Sequence, residues 1–236
     1  MFRFSLLLAA LLLAFSSVQA QDVVLAQDVN RDTIPSSVGP NRKHYIHFYT
    51  GLGVMAGPTD GVNINTFQSR DFQLGYRYKL RLAQWYGLGF EFGYNSQVFN
   101  IKQQSGKVLP DTLMHKKEQL TFYNIQGGVY QRFNFGKRGN RLGTYIDLGA
   151  YGTWAFDAAH KYKDEIPDGT KFKEVKVKEK DLQYINKLNY GVTARFGRNR
   201  FVVYGTYRLS DLIKEDMFAG DPQLPRYSFG LQLNLK

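Results

Sequence analysis

Between Asp71 and Leu82 every second residue is apolar. Phe72, Leu74, Tyr76, Tyr78, Leu80 and Leu82 alternate with Asp71, Gln73, Gly75, Arg77, Lys79 and Arg81. Successive side chains of an extended chain point to opposite faces, so a period of two puts the first set on one side of a β-strand and the second on the other. One side suits lipid; the charged side does not. The next segment repeats the pattern, with Leu88, Phe90, Phe92 and Tyr94 against Gly87, Gly89, Glu91, Gly93 and Asn95. Paired as a hairpin symmetric about Gln84, the two segments place Arg77 opposite Glu91, Lys79 opposite Gly89 and Arg81 opposite Gly87. Each large basic group then meets a carboxylate or a glycine.

The same alternation, more loosely kept, runs through Tyr45 to Met55, Leu120 to Phe133, Leu142 to Phe156, Gln183 to Phe196, Arg200 to Leu209 and Arg226 to Leu235. With the first pair this predicts an all-β fold of eight antiparallel strands, an even number suited to an up-and-down transmembrane barrel with no open edge in lipid. The connections alternate in length. Short ones lie at Ala83 to Trp85, Asn134 to Arg141 and Gly197 to Asn199. Long ones lie at Ala56 to Thr66, Lys102 to Lys116, Asp157 to Leu182 and Ser210 to Pro225. Outer-membrane barrels keep short turns on the periplasmic side and long loops outside, which places both termini in the periplasm. Trp85, Tyr86, Phe133, Phe135, Phe196 and Phe201 flank the three short turns and read as a membrane girdle, with ordinary turn packing as the alternative.

A soluble lipocalin-like barrel also alternates, but its wet face favours Lys, Glu and Thr. Here the polar face is rich in glycine, including Gly75, Gly89, Gly93, Gly149, Gly191 and Gly230. Glycine weakens a strand unless large neighbours approach closely, as they do in a narrow eight-stranded interior. The membrane form is the favoured one.

The chain begins with a cationic Met1-Phe2-Arg3-Phe4, continues through an apolar run from Leu6 to Phe15, and reaches Val18-Gln19-Ala20. This is the pattern of a secretory signal peptide cleaved after Ala20, too short to be a transmembrane helix. The predicted organisation is a signal peptide over 1–20, a flexible periplasmic leader over 21–42 and one barrel domain over 43–236. Loss of Arg3 takes the formal charge from +11 to +10, an excess that suggests an anionic partner. For an exported chain the nearer polyanion is lipopolysaccharide, and nucleic acid is not expected. There is no cysteine, which excludes disulfides and thiol chemistry and argues against a lipoprotein anchor.

The last strand, Ser228-Phe229-Gly230-Leu231-Gln232-Leu233-Asn234-Leu235, resembles the C-terminal assembly signal of outer-membrane proteins, with Ser228, Gly230, Leu233 and Leu235 at the signal's positions. It departs at the end, where Leu235-Lys236 replaces the usual terminal aromatic. Together with Gly205 to Leu212 and Leu224 to Leu231, it resembles the closing strand pair of small outer-membrane barrels of Bacteroidota, the PorT-like family. The resemblance implies an outer-membrane location, the barrel fold and recognition by the barrel-assembly machinery. One member of that family is associated with type IX secretion, which makes a role accessory to secretion or envelope assembly an expectation.

Asp71, Arg77, Lys79, Arg81, Glu91, Arg132, Asp147, Lys187, Arg195 and Arg208 fall on the inward face and are predicted to form a polar network filling the lumen. A narrow channel is the alternative. Four histidines raise the question of a lipid A-modifying barrel enzyme. His44 and His47 lie at the periplasmic end and on opposite faces of a strand, away from the outer leaflet. His115 and His160 lie near the long loops, where no Ser and acid companion is expected beside either. Neither catalytic residues, a cofactor nor a metal is therefore expected. The Lys- and Glu-rich loop over 157–182 is nearly neutral, with Phe172, Val175 and Val177 suggesting that part of it prolongs a hairpin. Its reading is open between contact with lipopolysaccharide or another envelope protein and a solvated loop.

Overall fold

The computed structural model describes residues 39–59, 61–136, 139–165 and 174–235. The expected signal peptide and most of the expected leader lie outside them. All belong to the compact unit Ser36–Lys236. Nine strands form one antiparallel sheet: β1 (His44–Ala56), β2 (Arg70–Arg81), β3 (Tyr86–Ile101), β4 (Lys117–Phe135), β5 (Thr144–Glu165), β6 (Glu174–Lys180), β7 (Leu188–Arg198), β8 (Phe201–Arg208) and β9 (Tyr227–Leu235). Strands adjacent in the chain pair with one another except β6 and β7, which both pair with β5, and β9 returns to pair with β1, so the sheet closes into a ring. Among the described residues there is no helix, and so none able to cross a membrane.

The expected β2–β3 register is found, with Arg77 opposite Glu91, Lys79 opposite Gly89 and Arg81 opposite Gly87. The expected strand number is not. The lower part of β5, Thr144–Trp154, pairs with β7, while its upper part, Ala159–Glu165, pairs with the separate strand β6. Strand β6 holds Val175 and Val177 and prolongs a hairpin above the ring, as their spacing suggests. Phe172 lies outside the described residues. The gap between β6 and β7 has a local cause: Asp181 adopts a left-handed backbone at φ 57°, and Leu182 and Ile185 turn into an apolar cluster.

Burial is the inverse of that in a water-soluble barrel. Arg77, Arg132 and Asp147 are 0% exposed, while Leu52, Phe92, Val203 and Leu231 are 55–67% exposed. Glycine permits the close approach of neighbouring strands. A Cβ on Gly230 would strike the Leu52 carbonyl and lie 2.7 Å from the Tyr204 ring, so this position of the C-terminal motif is fixed by sterics inside the fold.

One bulge alters the alternation. Asn124 pairs with Ala155 but Tyr123 with Asp157, leaving Phe156 as an extra residue on β5. Inward positions on β5 therefore change from odd numbers (Asp147, Thr153) to even ones (Ala158, His160).

The long connections are not loose. Val62 and Ile64 from β1–β2, Leu109 from β3–β4, Leu182 and Ile185 from β6–β7, and Leu212, Ile213 and Leu224 from β8–β9 join Met55, Phe99, Ile101, Leu120 and Phe122 in one buried cluster. Backbone bridges Ile64–Ile101 and Ile185–Ile213 tie it together. The four long connections thus build an apolar cap at one end of the ring. At the other end, residues 39–42, expected within the flexible leader, are folded: Asn41 bonds Gly139 and Asn140 in the β4–β5 turn, and Lys79 Nζ donates to the Pro40 carbonyl.

Candidate functional site: a charged interior beneath a folded cap

Halfway through the ring, inward residues of six strands meet. Arg77 Nε of β2 donates to Glu91 Oε2 of β3 at 3.0 Å, and Arg195 Nη1 of β7 donates to the same oxygen. Arg132 of β4 grips Asp147 of β5 with two parallel bonds, Nε to Oδ1 at 2.7 Å and Nη2 to Oδ2 at 2.8 Å. Arg195 Nε stands 3.6 Å from Asp147 Oδ2, the oxygen that Arg132 Nη2 also bonds, and Arg77 Nη2 reaches Gln232 Oε1 of β9 at 3.2 Å. Three guanidiniums therefore face two carboxylates. Tyrosine rings take the cationic faces: Tyr145 is 3.7 Å from Arg132, Tyr49 4.2 Å from Arg77 and Tyr130 5.1 Å from Arg195. Bidentate pairing and ring stacking are the two ways a buried guanidinium is best compensated for lost water.

Nearer the cap, Asp71 is held by hydrogen bonds: Tyr204 Oη and Ser228 Oγ at 2.7 Å, Gln73 Nε2 at 2.8 Å, and Asn95 Nδ2. Arg208 donates to the Leu224 and Pro225 carbonyls at 2.9 and 3.2 Å, pinning the β8–β9 connection to the ring. Charged and polar side chains from strands around the ring thus meet and bond in its interior.

Eight of the ten residues expected in this interior are there and buried: Asp71, Arg77, Lys79, Glu91, Arg132, Asp147, Arg195 and Arg208. Two are not. Lys187 is exposed in the β6–β7 connection, because β7 begins only at Leu188 and the chain has already turned toward the cap. Arg81 has the inward parity but sits at the strand's end, partly exposed, with Nη1 3.3 Å from Gln84 Oε1 of the turn.

The cap holds a second polar cluster. Both upper histidines have carboxylate companions, which the alternation did not indicate. His115 lies between Asp164 of β5 (Nδ1 to Oδ2, 2.9 Å) and Asp111 of its own connection (Nε2 to Oδ2, 3.1 Å). His160 lies between Glu118 of β4 (Nε2 to Oε1, 2.8 Å) and Glu179 of β6 (Nδ1 to Oε2, 3.3 Å). Tyr162 stacks on His115 at 4.2 Å and stands 5.2 Å from His160. The parity change at the bulge is what turns His160 inward, and it was not legible from the alternation.

Donor atoms of Asp111, His115 and Glu118 lie within 4.8 Å of one another, a spacing suited to a divalent ion. The Lys107 ammonium, however, is buried between Asp111 and Glu118 and bonds both. The cluster already contains its own cation.

These contacts fasten the β3–β4 connection to the β5–β6 hairpin in a pH-dependent way. Burial alone would lower each imidazole pKa, but the facing carboxylates, Asp164 and Asp111 for His115 and Glu118 and Glu179 for His160, outweigh it and raise both. Burial would likewise raise Asp111 and Glu118, yet their hydrogen bonds to the histidines and Lys107 hold both low. A pKa raised on folding stabilises below the ordinary imidazole range, and the benefit is lost as pH rises through the raised value. The carboxylates' share is lost only in acid. Opening of Lys117–Phe122 and Ala158–Glu165, read by hydrogen exchange corrected for intrinsic rate, is expected to increase from about pH 6 to about pH 9. His115→Gln with His160→Gln should abolish the difference. A profile unchanged by the double substitution would remove this role.

At the opposite end Trp85, Phe135, Phe196 and Phe201 are 51–61% exposed, while Tyr86 and Phe133 are half-buried against Trp85, with ring centroids 5.3 and 6.3 Å from it. In the C-terminal motif Ser228 points inward to Asp71, and Leu233 and Leu235 point outward. No protein-family model matches this chain, and no curated protein matches it.

Proposed function

We propose that this protein is an integral outer-membrane β-barrel of structural or interaction type, with a filled interior and a folded extracellular cap. The inverted burial carries this reading. Outward residues of β9 are Tyr227, Phe229, Leu231, Leu233 and Leu235, all exposed, and their neighbours on β1 and β8 continue the apolar surface. Nine residues at roughly 3.3 Å each, tilted about 40°, rise roughly 23 Å, close to the ~25 Å apolar band of such barrels. In water, leaving large side chains exposed forgoes about 1.5–3 kcal/mol each while the buried charges are also desolvated. In lipid the outward side chains are no longer in water, and the interior charges are compensated by their own pairing.

On this reading the ring has eight staves, with β6 an extension of the sixth. Short turns and both termini face the periplasm. The barrel-assembly machinery and the surrounding lipid and lipopolysaccharide are the partners, and a role accessory to envelope assembly or secretion follows the PorT-like resemblance. The mutual pairing of Arg77, Glu91, Arg132, Asp147 and Arg195 across the interior favours a closed barrel over a conduit or an enzyme.

The test is the outer-membrane fraction run on a denaturing gel with and without boiling, with N-terminal sequencing of the band. A band that shifts on boiling and begins at Gln21 is the expected result. Recovery as a soluble protein would overturn the reading, and reproducible conductance steps in planar bilayers would overturn the filled interior.

A further inference from the structure

The net positive charge of this chain is not spread evenly, and its location points to a ligand. Around the cap, the four long connections and adjoining strand ends carry cations and carboxylates in nearly equal number. Around the short turns the balance is one-sided. Arg42 and Lys43 precede β1, Arg81 ends β2, Arg141 precedes β5, and Arg198 and Arg200 flank the β7–β8 turn. Over 39–43, 81–86, 139–144 and 198–201 the sequence has no Asp or Glu. Lys43, Arg141, Arg198 and Arg200 are exposed.

The cations are registered to the aromatic belt. Phe196 comes two residues before Arg198, Phe201 directly follows Arg200, and Trp85 shares a turn with Arg81. All three aromatics are more than half exposed. The charges also sit at strand ends around the ring, on β1, β2, β5, β7 and β8, rather than on one flank. An acidic protein would engage one side of such a ring; lipid headgroups surround it.

We infer that the short-turn rim is a binding surface for the phosphodiester groups of anionic phospholipids in the leaflet that the short turns face. The inference rests on the membrane reading above. Guanidinium forks match phosphate oxygens, and several cations just beyond an apolar belt act at headgroup depth. The rim would fix the depth of the barrel and gather negatively charged lipid around it. The composition alone suggested lipopolysaccharide on the loop side, but the described cap has little net charge to offer it.

The two tryptophans make the test local, since Trp85 lies at the rim and Trp154 near the opposite edge of the belt, beside Leu188. The full chain is reconstituted as Trp154→Phe, reporting Trp85, and as Trp85→Phe, reporting Trp154. Vesicles contain phosphatidylcholine mixed with phosphatidylglycerol, with one of the two acyl-brominated to quench nearby indole. Trp85 is expected to select phosphatidylglycerol by roughly threefold to tenfold, and Trp154 by much less. Arg141→Gln, Arg198→Gln and Arg200→Gln combined, or high salt, should bring Trp85 close to no preference. Equal preference at both tryptophans, or selection that survives the triple substitution in a chain still shifting on boiling, overturns the rim. Absence of quenching by either lipid at both positions overturns the membrane reading itself, and with it this surface.

Discussion

Replacing Arg132 by alanine is expected to destabilise the folded protein by about 3–5 kcal/mol, the range for stripping one partner from a buried ion pair. Both side chains of the Arg132–Asp147 pair are 0% exposed, and the pairing is bidentate. The loss therefore leaves a carboxylate with Arg195 Nε at 3.6 Å as its remaining cationic neighbour. It also uncovers the Tyr145 ring. Set against a typical total of about 5–15 kcal/mol, this is large enough to see as a lower midpoint in urea unfolding from detergent micelles, followed by the unboiled gel band. Arg132→Lys should fall between, because an ammonium cannot reproduce the fork. Removing both charges, as Arg132→Met with Asp147→Leu, should recover much of the loss, since the apolar pair is spared desolvation. An unchanged midpoint for Arg132→Ala would mean that water reaches Asp147 easily, and the filled interior would have to give way to a wet one.

What was legible in the chain depended on how far local alternation reaches. The Arg77–Glu91 pairing follows from a tight turn between two strictly alternating strands, because a register error of one residue would turn every side chain to the wrong face. Arg132 and Asp147 were both legible as inward, but their partnership was not. The connection between β4 and β5 contains Gly136, Gly139 and Gly143, all with positive φ, and its path cannot be read from spacing. His160 was hidden by the single extra residue at the bulge, which changes parity without any mark in the pattern. Lys187 failed for the opposite reason: its parity was right, but the strand had not yet begun. The cap had a signal that period two cannot read, namely aliphatic residues such as Ile64, Leu109, Ile185 and Ile213 within long connections. Residues of that kind are seldom left in water when several connections meet. The cap's polar latch, built on His115 and His160, depends on that packing and was invisible for the same reason.

Leu231→Arg should separate a membrane ring from a soluble one more sharply than any change inside it. Leu231 is 67% exposed, pairs with Leu52 on β1 and Val203 on β8, and sits at the middle of β9 in a continuous apolar surface. If that surface faces water, an arginine there is nearly neutral, within the usual ±0.5 kcal/mol or so of surface substitutions, and raises solubility. If it faces the bilayer midplane, the guanidinium must be dragged into hydrocarbon or snorkel out, at about 2–4 kcal/mol. The same residue introduced for Phe201, at the short-turn edge, should cost only about 0–1 kcal/mol. The gradient with depth is the diagnostic quantity, because a loss of packing alone has no reason to follow distance from the midplane. Leu231→Ala supplies the packing control, since it shortens the side chain without adding charge. Refolding into phosphatidylcholine bilayers from urea, with folded fraction read on unboiled gels, measures all three. Equal and small effects at positions 231 and 201 would place the apolar belt in water. A steep loss at 231 with little at 201 would fix both the belt as the lipid-facing surface and the short-turn rim as its boundary, which is where the unbalanced arginines begin.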